Sequence, residues 1–204
     1  VIGGYFTTLQ PNGAPSATPR NRVARLNSDG TIDTAFNPNA SGAVLCLALQ
    51  TDGKIVLGGQ FGSLQPNGAP SATQRLRIAR VNADGTLDAG FDPKPNNVNS
   101  VIWTVAVQPD GKILIGGGFT SLQPNGAPSA TPRDNMARLN SSGTLDAAFD
   151  PKPSSNVYTL ALQPDGRILV GGIFTSLKPN GAPTATPRQF LARVNADGTL
   201  DSAF

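Results

Sequence analysis

Four arginines and four aspartates recur in this chain at one spacing. Arg25 precedes Asp33 by eight residues, and Arg80–Asp88, Arg138–Asp146 and Arg193–Asp201 keep the interval. Paired aspartates can act as the acid and base of glycoside hydrolysis. Aspartates at fixed spacing can also hold calcium, which needs six to eight oxygen ligands. Asn82-x-Asp84-Gly85-x-x-Asp88 has part of such a loop, but Arg80 holds the first ligand position and Ser142 replaces the central acid in a later copy. A hairpin turn tolerates both changes, so the turn is the preferred reading. A second set, Arg20, Arg75, Arg133 and Arg188, recurs once per repeat and would suit an acidic ligand or an anchor for the preceding loop. Cys46 is the only thiol and falls in an apolar strand, which favours a small core residue over a reactive one. Trp103 aligns with Leu45 and Tyr158, a bulky packing position. Two sequons, at Asn39 and Asn140, are of a kind that arises often by chance.

Composition removes other chemistry. The 204 residues contain no His and no Glu, so all 13 acids are Asp. Ser-His-Asp and Cys-His catalysis and imidazole metal ligation are excluded. One Cys excludes an intramolecular disulfide and a multi-cysteine zinc site. The net charge of +3 is spread over the repeats rather than clustered beside aromatics, so no nucleic-acid partner is expected. No apolar run approaches the roughly 20 residues of a membrane span. No cofactor and no metal are expected, and each recurring Asp has a structural explanation, so the expectation is a non-enzymatic protein.

The elements behind these residues are repeats. Gly-Gly-x-Phe occurs with Phe6, Phe61, Phe119 and Phe174, spaced by 55, 58 and 55 residues. A nearly copied loop follows each Phe: Gln10–Thr18, then copies from Gln65, Gln123 and Lys178. Ala-Arg-(Leu/Val)-Asn and Gly-Thr-(Leu/Ile)-Asp come next. Each unit reads as four short strands, exemplified by a (Val44–Gln50), b (Lys54–Phe61), c (Arg77–Asn82) and d (Thr86–Phe91). Strand a is apolar or small on both faces, which predicts burial on both sides. Gln-Pro-Asp-Gly and Asn-x-Asp-Gly fit type I turns closed by a G1 bulge. Counting outward from Asn27–Thr31 places Leu26 opposite Ile32 and Arg25 opposite Asp33, and the same register holds for the other three Arg–Asp pairs. An exposed pair of this kind is worth about 0.2–1 kcal/mol, so it sets register more than stability.

Tandem units of about 55–58 residues predict an all-β, β-propeller-like array of four-stranded antiparallel blades. A β-solenoid and an extended hairpin array are the competing architectures. The array divides into a partial blade 1 (1–38), blade 2 (39–93), blade 3 (94–151) and blade 4 (152–204). It has four b-c-d sets but three a strands, which suggests a fragment of a longer chain whose open edge invites pairing. The loop between b and c sits at one repeat phase, so its copies are expected on one face. Asn12, Asn67, Asn125 and Asn180, with Arg20, Arg75, Arg133 and Arg188, are the candidate interaction residues there. Repeated loops suit multivalent contact.

Val-x-x-Leu-Ala-x-Gln-Pro-Asp-Gly-Lys-Ile-Leu-x-Gly-Gly-x-Phe, followed by Ala-Arg-Leu-Asn-x-Asp-Gly-Thr-Leu-Asp-x-x-Phe, resembles the delta-60 repeat, a bacterial β-propeller-like family of unknown function. The resemblance covers essentially the whole chain. It implies tandem arrays in large exported bacterial proteins, hence an extracellular or cell-surface location, and transfers no catalytic or binding residue. The long Pro-Asn-Gly-Ala-Pro-Ser-Ala-Thr loop departs from the pattern, where the connection is commonly shorter. The leading expectation is an exported structural or adhesive protein whose partners are other chains or copies of itself. The alternative is a propeller binding carbohydrate or acidic polymer through its b–c loops.

Overall fold

A computed structural model describes residues 1–11, 13–96 and 100–204. Asn12 therefore lies outside the described residues. Strands are short because Gly, Pro and Asn punctuate the chain every few residues. Blade 1 holds β1 (Ile2–Gly3), β2 (Thr8–Leu9), β3 (Thr18–Pro19) and β4 (Val23–Ala24). Blade 2 holds β5 (Val44–Leu49), β6 (Ile55–Gly59), β7 (Ser63–Leu64), β8 (Thr73–Gln74) and β9 (Ile78–Val81). Blade 3 repeats this as β10 (Ile102–Val107), β11 (Ile113–Gly117), β12 (Ser121–Leu122), β13 (Thr131–Pro132) and β14 (Met136–Leu139). Blade 4 has β15 (Val157–Leu162), β16 (Ile168–Gly172), β17 (Ser176–Leu177), β18 (Thr186–Pro187) and β19 (Leu191–Val194).

In blades 2 to 4 the a, b and c strands form one antiparallel sheet, β5-β6-β9, β10-β11-β14 and β15-β16-β19. The hairpin turns have the register worked out from the sequence. Asn82 N–H donates to Thr86 O at 2.8 Å and Gly85 N–H to Asn82 O at 2.9 Å. Leu26↔Ile32, Val81↔Leu87, Leu139↔Leu145 and Val194↔Leu200 pair across those turns.

Two expectations change. The fourth strand is one residue long: after Leu87 the chain turns at once, because Asp88 Oδ1 accepts the Gly90 N–H at 3.1 Å and Asp88 O accepts the Phe91 N–H. Strand a is not buried on both sides along its length. In β5 only Val44 is buried, and Leu49 at its far end is 68% exposed, since no further strand covers the outer edge of a.

The cores lie between blades. Val23 and Phe36 of blade 1 pack with Val44, Ile55, Leu57, Phe61, Leu64 and Val81 of blade 2. Val56, Ile78 and Phe91 of blade 2 pack with the matching residues of blade 3, and Leu114, Met136 and Phe149 of blade 3 with those of blade 4. Each blade thus presents a forward face to its successor and a backward face to its predecessor. Close approach sets the Gly-Gly pair. A Cβ on Gly58 would lie 2.7 Å from Ile102 of the next blade, and one on Gly59 would lie 2.1 Å from Ala43 O.

Candidate functional site

The recurring Arg–Asp pairs come together as expected from the register, and they do more than pair. Arg25, Arg80, Arg138 and Arg193 each donate Nε to Oδ2 of the paired aspartate, at 2.7–2.8 Å. The guanidinium then lies over a phenylalanine ring: Phe36, Phe91, Phe149 and Phe204, at 4.3–4.8 Å from the centroid. Nη1 reaches out of the blade. Arg25 donates to Ala83 O, Arg80 to Ser141 O and Arg138 to Ala196 O, each in the c–d turn of the following blade. That turn also covers the ring, since Cβ atoms on Gly85, Gly143 and Gly198 would lie 2.8–3.1 Å from Phe36, Phe91 and Phe149.

The pairs of blades 2 and 3, flanked by a blade on each side, are buried. Arg80 and Arg138 side chains are 7% and 9% exposed, against 30% for Arg25. Lys54 adds a second bond to Asp88 at 3.0 Å, and Lys112 one to Asp146 at 2.9 Å. Burial raises the pKa of Asp88 and Asp146, but the Lys and Arg bonds outweigh it and hold both below the usual carboxylate value. Asp33 and Asp201 are lowered first by the bonds from Arg25 and Arg193.

The turn aspartates are equally engaged. Asp84 Oδ1 accepts from both the N–H and the hydroxyl of Thr86, which lowers its pKa. With Asp88 bound to Arg80 and Lys54, this set offers calcium few free oxygens. Among the described residues no three acids or thiols converge.

The b–c loop folds back on its own blade instead of projecting as an open connector. Its ends pair as a small hairpin, β7 with β8, and Leu64 bridges to Ala40. Asn67, Asn125 and Asn180 take left-handed φ values of 52°, 48° and 38°. The Asn67 Oδ1 accepts from Asn37 N–H, in the segment leaving blade 1, and its Nδ2 donates to Asp84 O. Asn125 and Asn180 repeat both bonds, to Asp92 and Ser142 and to Asp150 and Asp197. Each of these amides clasps two chain segments to the loop.

Arg20, Arg75 and Arg133 are corrected from ligand candidates to anchors. They are 7%, 7% and 6% exposed. Arg75 donates to Gln74 O and Ala89 O, and Arg133 to Pro132 O and Ala147 O, so each ties the end of its loop to the segment after the paired aspartate. Arg20 does the same to Pro19 O and Thr34 O, and Arg188 keeps the bond to Pro187 O. Burial within these contacts withdraws the first three cations from any solvent ligand.

Other side chains at this junction carry no sequence motif. Ser41 Oγ accepts from Gly62 and Ser63 N–H, Asn96 Oδ1 from Thr120 and Ser121, and Ser154 Oγ from Thr175 and Ser176. Their one signal is a short acceptor recurring at the 55–58-residue period. Cys46 faces Gly58 and the next blade, and burial pushes its thiol up to about 12, against thiolate chemistry. Of the sequon residues, Asn140 spends its Nδ2 on the Thr144 hydroxyl.

The a strands offer accessible surface. Each has a register shift at one position, which extrudes Leu45, Trp103 and Tyr158. Trp103 and Tyr158 meet edge to face, 5.6 Å apart, and Tyr158 is 43% exposed. At the opposite end of these strands Leu49, Val107, Leu162, Pro109 and Pro164 line a cavity of about 330 Å³.

A model of the family described as "Domain of unknown function (DUF5122) beta-propeller" matches residues 1–36, 50–91, 108–149 and 163–204. The chain belongs to the DUF5122 β-propeller family. The four matched segments hold the b–c–d portion of each blade, with the Arg–Asp–Phe set complete in each. A solved structure, the WD40 β-propeller domain of Doa1, is similar at 14% identity and a TM-score of 0.34, over 78% of this chain and 59% of that one. This DUF5122 chain thus spans somewhat more than half the length of that structure. No curated protein matches it.

Proposed function

We propose that this propeller chain is a non-enzymatic, exported structural or adhesive protein that holds other protein chains in a cell-surface or extracellular assembly. The observation that carries this reading is the use of its recurring charges. Arg25, Arg80 and Arg138 join blade to blade, their aspartates hold them, and Arg20, Arg75 and Arg133 anchor loops. Side chains committed in this way build a stiff scaffold. The resemblance to delta-60 repeats, with their large exported bacterial proteins, supports the location.

Two measurements test it. Protease added to intact source cells should remove the protein, and beads coated with the chain should adhere to those cells. Recovery in the cytosolic fraction alone would contradict the reading.

A second reading, glycan binding, has one specific support: the Trp103–Tyr158 pair on the a strands, of which Tyr158 is 43% exposed. Its rings, rather than loop Asn and Arg residues, would stack a sugar. A glycan array with no hit from the chain, or with hits unchanged in Trp103→Ala, would remove it.

A further inference from the structure

The recurring charges of this chain are committed to partners, but two charges that do not recur are free. Twelve of the 13 aspartates accept a hydrogen bond or lie beside a cation. Asp134 is the exception among the described residues. Lys54, Lys94, Lys112 and Lys152 each sit beside an aspartate. Lys178, the remaining lysine, is again the exception among the described residues.

Both residues depart from the repeat. Asp134 stands where the other copies have Asn21, Leu76 and Gln189, and Lys178 where they have Gln10, Gln65 and Gln123. Each forgoes a bond made elsewhere. Gln10, Gln65 and Gln123 donate Nε2 to a carbonyl of their own loop, Ala14, Ala69 and Ala127 O. Asn21 donates Nδ2 to Asn39 Oδ1 at 2.8 Å, across the junction of blades 1 and 2. At the junction of blades 3 and 4 the Asp134 carboxylate has no such proton to give. Lys152, at the position of Asn39, turns to Asp150 at 3.2 Å. The two departures meet in one place. Between blades 3 and 4 a cavity of about 330 Å³ is lined by Asp134 and Asn135 on one side and by Lys152, Ser154, Ser176 and Lys178 on the other. That volume suits a small ligand. The backbone on both sides is fixed. Buried Arg133 anchors the chain before Asp134, and Asn135 Nδ2 donates to Pro153 O at 2.9 Å after it. Lys178 N–H donates to Lys152 O at 3.2 Å.

We propose that this cavity binds a small zwitterion of dipeptide size, its ammonium on the Asp134 carboxylate and its carboxylate on the Lys178 ammonium. Charge-assisted hydrogen bonds at both ends offset the desolvation of the ligand's two charges and of the protein's. A molecule with one charge leaves either Asp134 or Lys178 without a partner. The Ser154 and Ser176 hydroxyls in the same lining can bond the peptide group of the ligand. The site shares no residue with the Trp103–Tyr158 pair or with the arginine contacts between blades. It adds a ligand to the scaffold and does not rest on the scaffold reading.

The test titrates glycylglycine into the isotope-labelled 204-residue chain and follows backbone amide resonances. The parent should show saturable shifts at Asn135, Ser154 and Ser176, with a Kd of about 1–10 mM for a ligand of so few atoms. Asp134→Asn and Lys178→Gln install residues that sister blades carry at the same positions, Asn21 and Gln123. Thermal melting should therefore match the parent, while each variant binds about tenfold more weakly or worse. N-acetylglycine, which lacks the ammonium, and glycinamide, which lacks the carboxylate, should show a similar loss on the parent. No saturable shift by about 50 mM glycylglycine would overturn the proposal. So would binding unchanged in either folded variant, or N-acetylglycine or glycinamide binding as tightly as glycylglycine. Surface exposure and adhesion on cells are measured separately, so none of these outcomes bears on the scaffold reading.

Discussion

Arg80 binds Asp88 at 2.8 Å across a hairpin turn, and the same guanidinium leaves its own blade to bond Ser141 O in the next. One side chain thereby sets strand register and joins two blades. The relationship recurs at Arg138 with Asp146 and, with more exposure, at Arg25 with Asp33.

Removing the arginine should therefore cost most where it is covered. Arg80→Ala strips a buried carboxylate of one partner and a turn carbonyl of its donor, an effect of about 3 kcal/mol. Arg25→Ala, at a more exposed pair, should cost less. Urea unfolding of the two variants measures the difference.

Acid should weaken the fold in a defined window. The pKa values of Asp33, Asp88, Asp146 and Asp201 are lowered in the folded chain. Groups with lowered folded pKa add stability above the unfolded value of about 3.9 and lose it as pH falls through the folded values. Stability should be level from neutrality to about pH 5 and then decline below pH 4. With no His in the chain, no further step is expected near pH 6.5.

Glycine substitutions should sort by what a Cβ meets. Gly59→Ala drives a methyl into the Ala43 carbonyl, and Gly58→Ala into Ile102 and Cys46. Each should cost about 1–3 kcal/mol or more, Gly59 the larger because backbone cannot yield. Gly62→Ala, with its nearest atom 4.0 Å away, should stay within about 0.5 kcal/mol. Thermal melting of the three proteins separates these outcomes.

The loop asparagine has two separable parts. Asn67→Gly keeps the left-handed backbone and loses both side-chain bonds, for about 1–2 kcal/mol. Asn67→Ala also strains the backbone and should cost more. Equal losses in the two variants would show that the left-handed backbone contributes little, and an unchanged Asn67→Gly would show the same of the bonds to Asn37 and Asp84.

The turns were the most legible part of this molecule. Asn-x-Asp-Gly dictates a three-residue hairpin loop, and its register alone brings Arg80 opposite Asp88. What a single hairpin cannot reveal is its neighbour. The contacts of Arg80 with Ser141 and of Phe91 with Gly143 join residues in different repeats, so no local pattern encodes them. The same gap concealed the loop clasp, because Asn67 reads as a turn residue until Asn37 is beside it. Thr86–Phe91 reads as a strand, yet only Leu87 pairs. Asp88 ends it by capping the Gly90 N–H, a local competition that periodicity does not register. The apolar residues of strand a predict burial, but Leu49 lies at its uncovered edge.

The claim underlying all of this is that the cores and arginine contacts couple each blade to the next. Trp103, the single Trp, reports on blade 3, while Arg80 belongs to blade 2. The direct measurement is urea unfolding of Arg80→Ala followed by Trp103 fluorescence and by far-UV circular dichroism. Coupled blades require one transition, with the Trp103 midpoint lowered together with the circular dichroism midpoint. A Trp103 midpoint unmoved from that of the parent chain, while circular dichroism shows blade 2 unfolding earlier, would contradict the account.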